Sequence, residues 1–358
     1  MARQSFPKYT SGFSLVEIMV ALTLSLLLLG AVLQVFISAK ASYRMNEGLA
    51  RLQETGRFAA NILAGDIRMA GYQGCMTLDK INLHVIVKDP PADLALYGPA
   101  TILTGENNLA STDNSGDNLV VNHRAVAGSD SLTIRKASAT GAHLTGNTTS
   151  NNAQVHIDGN PTGFEQGDIL IITDCADADI FRATTVSNNN SSMVDITHGS
   201  NFNDPNKLSK TYGPDATVMA FESITYYVAD TTRTNEAGDP IYGFYVQRLD
   251  MTEADQTEEV ELVAGVENMQ VLYGVDIDAD GSVDNYVNAD NVTDFTNVIS
   301  ARVALLVSSV APSTTQPDSA TYDLLDETVD PANGRYLRNV FTFTATARNR
   351  SLRSTMFN

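Results

Sequence analysis

Four aspartates fall within nine residues: Asp276, Asp278, Asp280 and Asp284, with Gly281 and Ser282 between the last two. Carboxylates at positions one, three and five, with Gly at six for the sharp turn, open an EF-hand loop. Hard oxygens gathered at that spacing suit Ca2+. Ser282 stands where the pattern uses a backbone carbonyl, and Asp284 stands at position nine. Position twelve is Val287 where the pattern wants Glu, and the flanks read as strands. The expected ligand set is therefore Asp276, Asp278, Asp280, Ser282 and Asp284, in a shortened calcium loop. The competing reading is a hairpin turn at Asp280-Gly281 between Val271, Tyr273, Val275, Ile277 and Val283. A bare turn does not call for four carboxylates, whose repulsion is unfavourable without a cation.

A second ionisable residue is out of place. Glu17 stands at the mouth of an uncharged run, Ile18 to Ala39. That run would span roughly 33 Å as a helix, enough for a bilayer core. A carboxylate there is costly and marks function by default. Arg3 and Lys8 precede it and hold that end in the cytoplasm. The rest of the chain then lies outside the cytoplasm. A secretory signal cleaved after Ala41 is the alternative, but the run is longer than such segments use.

The two cysteines, Cys75 and Cys175, suggest one disulfide in an exported chain. It would close a loop worth roughly 4–5 kcal/mol in the chain-entropy model. Two unrelated buried thiols are the other reading. No His accompanies them, so they make no zinc site. His84, His123, His143, His156 and His198 are scattered, with no nucleophile motif beside any. Neither a nucleophile elbow, a zinc-protease motif nor a phosphate loop occurs. The chemistry points away from an enzyme.

These residues need elements to position them. The chain has 358 residues and a net charge of −19, with Trp absent. The acidic balance argues against nucleic acid. No proline occurs between Pro7 and Pro90. Beyond Ala39, apolar or small residues Met45, Leu49, Leu52, Gly56, Ala59, Leu63, Ile67 and Ala70 recur three and four apart. One helix should thus cross the membrane and then dock an apolar stripe on a domain, stopping at Gly71. Gly30, Gly48, Gly56 and Gly65 should each weaken it by up to about 1 kcal/mol, with Gly30 the place to unwind. After Pro90-Pro91 the chain is rich in Asn, Thr, Ser and Gly. Strands are expected near 83–87, 119–121, 132–134, 217–229, 241–249, 258–263, 269–277, 298–309 and 337–347, and residues 167–175 read as a turn followed by a buried strand. Residues 180–186 are expected to form its hairpin partner, and 312–334 a surface loop. The expectation is an α+β chain: a long N-terminal α-helix, transmembrane then amphipathic, packed on a β-rich domain. Its parts are a leader over 1–12, the helix over 13–71 and the β-rich domain over 72–358.

The junction Gly12-Phe13-Ser14-Leu15-Val16-Glu17 resembles the class III leader of type IV pilins and type II secretion pseudopilins. The resemblance implies that prepilin peptidase cuts after Gly12 and methylates the new amino terminus at Phe13. It implies that Glu17 faces the terminal amine of a neighbouring subunit during assembly. A carboxylate in low dielectric needs such a partner. Gln34 stands where many major pilins have proline. Ala70 to Cys75, Gly167 to Cys175, Tyr273 to Gly281 and Val340 to Arg350 resemble the PilW family of minor pilins. That resemblance implies a pilin-like domain in the periplasm, anchored in the bacterial inner membrane. It also implies a role in starting pilus assembly, in contact with other minor pilins and the major pilin, and a place at the pilus tip. A pseudopilin of the GspJ type and a calcium-dependent tip adhesin are the alternatives.

Overall fold

The computed structural model describes residues 12–74, 82–88, 97–110, 125–149, 152–190, 193–249, 257–332 and 334–350. Helix α1 spans Leu15–Met69. It starts at Leu15 because Ser14 is extended and caps it. It ends because Gly71 adopts a positive φ of 72°, which favours glycine. The Asn349 side chain donates to the carbonyls of Met69 and Ala70, satisfying two of the last acceptors. The helix continues unbroken through Gly30, contrary to the expected unwinding there. At about 1.5 Å per residue it is roughly 80 Å long.

Strands follow in chain order: β1 (Asn82–Val85), β2 (Leu103–Thr104), β3 (Leu132–His143), β4 (Gln154–Ile157), β5 (Ile169–Thr173) and β6 (Asp177–Arg182). Next come β7 (Thr185–Asn190), β8 (Met193–Thr197), β9 (Thr217–Thr234), β10 (Pro240–Leu249), β11 (Thr257–Ala264) and β12 (Val266–Val275). The last are β13 (Asn285–Val287), β14 (Val298–Ser308), β15 (Tyr322–Leu324), β16 (Glu327–Val329) and β17 (Arg338–Thr346). Eight of them form one sheet along the path β1-β6-β5-β9-β10-β11, with β3 on β9 and β2 on β3. A second sheet runs β13-β12-β14-β17. The expected strand at 119–121 lies outside the described residues. The partner of β5 is β6, which ends at Arg182; Thr185 onward turns into a separate sheet with β8 and β4. The 312–334 segment is not all loop, since β15 and β16 pair within it. Their three-residue strands are too short to stand out as a sequence pattern.

The two sheets and the helix share one core. Leu52, Ala59, Leu63 and Ile67 of α1 pack with Tyr226, Phe244, Met269, Val271, Val303 and Leu305. The Leu, Ile, Val, Phe and Met side chains among them each contribute about 1.5–3 kcal/mol when fully buried. Residues 128–130 take the place of a strand along the remaining edge of β12. The Asp130 N–H donates to the Met269 carbonyl, and the Val271 N–H donates to Asp130 Oδ2. That seam joins the segment entering β3 to the smaller sheet.

Candidate assembly helix and metal loop

The helix start is a reciprocal cap. Ser14 Oγ accepts from the Glu17 N–H at 3.2 Å, and Glu17 Oε2 accepts from the Ser14 N–H at 3.0 Å. Two orphan donors of the first turn are satisfied this way. The positive end of the helix dipole favours the carboxylate further. Glu17 itself stays exposed, so it remains within reach of a second cation. Gly12 and Phe13 precede the cap, and Phe13 is 83% exposed. Leucines and valines from Leu15 to Val35 are exposed all round the helix, and none of its most apolar window is buried. The helix is long and apolar enough to cross a membrane. With the separate globular domain, the architecture is consistent with a single-pass membrane protein.

The lower half of α1 is held by more than its apolar stripe. Asp66 Oδ1 lies 2.7 Å from Lys136 Nζ of β3, and the Tyr226 hydroxyl of β9 donates to its other oxygen. Burial first, and then the Asp66 charge, push the Tyr226 hydroxyl well above its ordinary pKa. Sequence reasoning missed Asp66. The signal was present: a carboxylate between Leu63 and Ile67, on the buried face of the stripe. Gly48 and Gly56 have a second role besides their low helix propensity. A Cβ on Gly48 would lie 2.5 Å from Ser313 Oγ, and one on Gly56 would lie 2.4 Å from the Phe341 ring. They are absent side chains that let the domain approach.

The aspartate loop connects β12 to β13. Oxygens of Asp276, Asp278 and Asp284 all lie within 4.8 Å of one another. Calcium–oxygen distances of about 2.3–2.6 Å allow ligands that far apart around one ion, so the trio fits a divalent cation. Asp276 is buried and fixes the turn: its carboxylate accepts from the N–H groups of Asp280 and Gly281. Asp284 accepts from the Ile277 N–H at 2.7 Å. Asp280 is not in the trio; its Oδ1 accepts from the Ser282 N–H. Ala279 at φ 60° and Gly281 at φ 89° give the loop its tight curl.

Cys75 lies outside the described residues. Cys175 sits at φ 73° in the turn between β5 and β6, and no described cysteine is a free thiol. Lys210 braces that turn, 2.6 Å from Asp174 and 2.7 Å from Asp177. Desolvation raises the Asp174 carboxyl, but hydrogen bonds from Lys210 and from the Asp177 and Ala176 N–H groups together hold it below its ordinary range, and Lys210 and Asn82 hold Asp177 low.

Residues 225–349 match the family model described as Type IV Pilus-assembly protein W. Residues 7–33 match the prokaryotic N-terminal methylation motif. The chain thus joins a PilW-like C-terminal part to a prepilin-like N-terminus. No curated relative and no solved structure matches it. The PilW match begins in β9 and contains the aspartate loop and the whole sheet on which α1 docks. The methylation match contains Gly12, Phe13, Glu17 and most of the apolar run. The two matches together cover the start and most of the apolar run of the helix and the sheet on which the helix docks.

Proposed function

We propose that the chain is a minor pilin that takes part in starting type IV pilus assembly and sits in the complex at the pilus tip. The observation that carries this reading is the capped start of α1, with Glu17 in the first turn of an exposed apolar helix. Prepilin peptidase would cut after Gly12 and methylate Phe13. The freed ammonium of one subunit then meets Glu17 of the next, as other minor pilins and the major pilin join. Before assembly the helix anchors the chain in the bacterial inner membrane, with its domain in the periplasm. Glu17→Gln tests the docking charge. Gln preserves the cap, because its amide oxygen still accepts from Ser14. We expect leader cleavage to continue while incorporation into pili drops below a tenth of the wild-type level, as for loss of a buried charge pair worth about 3 kcal/mol. Wild-type incorporation of Glu17→Gln, read by immunoblot of sheared pili, would refute the role.

Two further features belong to this reading. Asp276, Asp278 and Asp284 would hold Ca2+, whose charge offsets their mutual repulsion. Calorimetric titration of the full chain in detergent should show one site with a dissociation constant on the order of 0.1–1 mM, as in extracellular calcium modules. Asp276→Asn should remove it; no heat in the wild type ends the idea. Cys75 and Cys175 would form the disulfide that ties the end of α1 to the β5–β6 turn. Thiol labelling of the unreduced, denatured chain should find no free thiol, and two labelled thiols would contradict the pairing.

A further inference from the structure

The last strand of the smaller sheet has an outer edge unlike the others. No described strand pairs with the far side of β17. Its pairing with β14 runs through nine consecutive residues without a bulge. From Asn339 to Ala347 it carries neither charge nor proline. Soluble proteins guard such edges with charges, proline, bulges or short length. The end strand of the large sheet, β11, shows the guarded form: it carries Glu258, Glu259 and Glu261, and its pairing with β10 is bulged.

The hydrogen bonds fix which groups are open. The Ala347 N–H donates to the Ile299 carbonyl, and the Ser309 N–H donates to the Leu337 carbonyl. In this register Phe341 faces Leu305 and Phe343 faces Val303. Hydrogen-bonded pairs alternate along an antiparallel ladder, so the odd-numbered residues of β17 turn their backbone to β14. Val340, Thr342, Thr344 and Thr346 turn theirs outward. The side chains alternate too. Phe341 and Phe343 face α1 and stay half-buried, while Thr342, Thr344 and Thr346 are exposed on the other side.

We propose that β17 accepts an added strand from a partner chain. The matching segment is extended and uncharged. It places apolar side chains beside Phe341 and Phe343, and hydroxyl side chains beside Thr342 and Thr344. Backbone pairing supplies affinity and the alternating side chains supply register. A second copy of this chain is disfavoured, because each copy carries a net charge of −19. The inference rests on the strand geometry and not on the pilin reading.

The test uses the full chain in detergent and a short, capped, dye-labelled peptide alternating Thr with Val and Phe. Thr342→Pro removes one outward N–H, and Thr344→Pro removes another. Neither breaks the β14 ladder, and proline is tolerated on an edge in that position. Either should weaken peptide binding about tenfold, with Thr342→Ser unchanged. Peptide should slow amide exchange of the wild type at Val340, Thr342, Thr344 and Thr346, and not at Phe341 or Phe343. That exchange pattern decides the matter even where a proline variant folds poorly. No peptide binding by the wild type, equal binding by a folded proline variant, or slowing at other residues overturns the proposal. So does a wild-type dimer in sedimentation that Thr342→Pro dissociates, which would make the occupant a second copy.

Discussion

Gly56→Leu should lower the melting temperature of the full chain by roughly 4–5 °C, for a loss of about 3 kcal/mol. Sequence statistics predict the opposite sign, since a better helix former in place of Gly gains up to about 1 kcal/mol. Three ring atoms of Phe341 decide the matter, at 2.4 to 2.6 Å from where a Cβ would stand. A leucine adds three more carbons beyond that point. Either the ring leaves its place over α1, or the helix lifts from β17 and uncovers Leu52 and Ala59. Overpacking of this kind costs about 1–3 kcal/mol before any docking is lost. Gly30→Leu and Gly65→Ala are the controls, because nothing lies within 4 Å of either Cβ position. Both should leave the melting temperature level or raise it. Pairing Gly56→Leu with Phe341→Ala should recover part of the loss, since removing the ring relieves the clash and the leucine fills the space the ring leaves. Additive losses in that double variant, or an unchanged melting temperature for Gly56→Leu alone, would show that the close approach carries no weight.

What was legible in the residues was local. The uncharged run, the stripe from Leu52 to Ile67 and the strands β9, β10, β12, β14 and β17 follow from neighbouring residues and their period. The aspartate loop was legible for the same reason, because its spacing sets which carboxylates can converge. What escaped depends on partners distant in sequence. Gly56 gains its meaning from Phe341, and Asp66 gains its meaning from Lys136 and Tyr226. Asp280 has the right spacing, yet its carboxylate accepts from Ser282 and does not join the trio. Asp130 sits in a stretch rich in Ser, Asn and Gly that reads as surface loop. Its burial follows only once residues 128–130 lie along the edge of β12.

Asp130→Asn should change how stability depends on pH, and the sign follows from burial. Asp130 is 2% exposed and its carboxylate accepts from the Asn108 and Val271 N–H groups. Burial pushes its pKa up to about 7, and the nearby charges of Asp326 and Glu327 add to the rise. The two N–H donors pull it down, but by less than burial raises it. A carboxyl raised on folding stabilises the protein fully below its unfolded value near 4. That stability is lost as pH rises through about 7. Between pH 5 and pH 8 the loss amounts to about 2–3 kcal/mol. Asp174, Asp177 and Asp318 are held below their ordinary range, so their contribution is lost only at pH well below 5. His198 acts in the same window with the opposite sign. Its burial lowers its pKa, so its contribution is present above its unfolded value and lost as pH falls. The wild-type profile alone therefore mixes two groups, and the difference between wild type and variant isolates Asp130. Asn keeps one acceptor for the seam and removes the charge, so it should be the less stable chain at pH 5. By pH 8 it should have gained about 2–3 kcal/mol relative to wild type. Urea unfolding of both chains at the two values measures this. A difference that stays constant from pH 5 to pH 8 would mean that Asp130 does not titrate there, and that the seam between residues 128–130 and β12 is indifferent to pH.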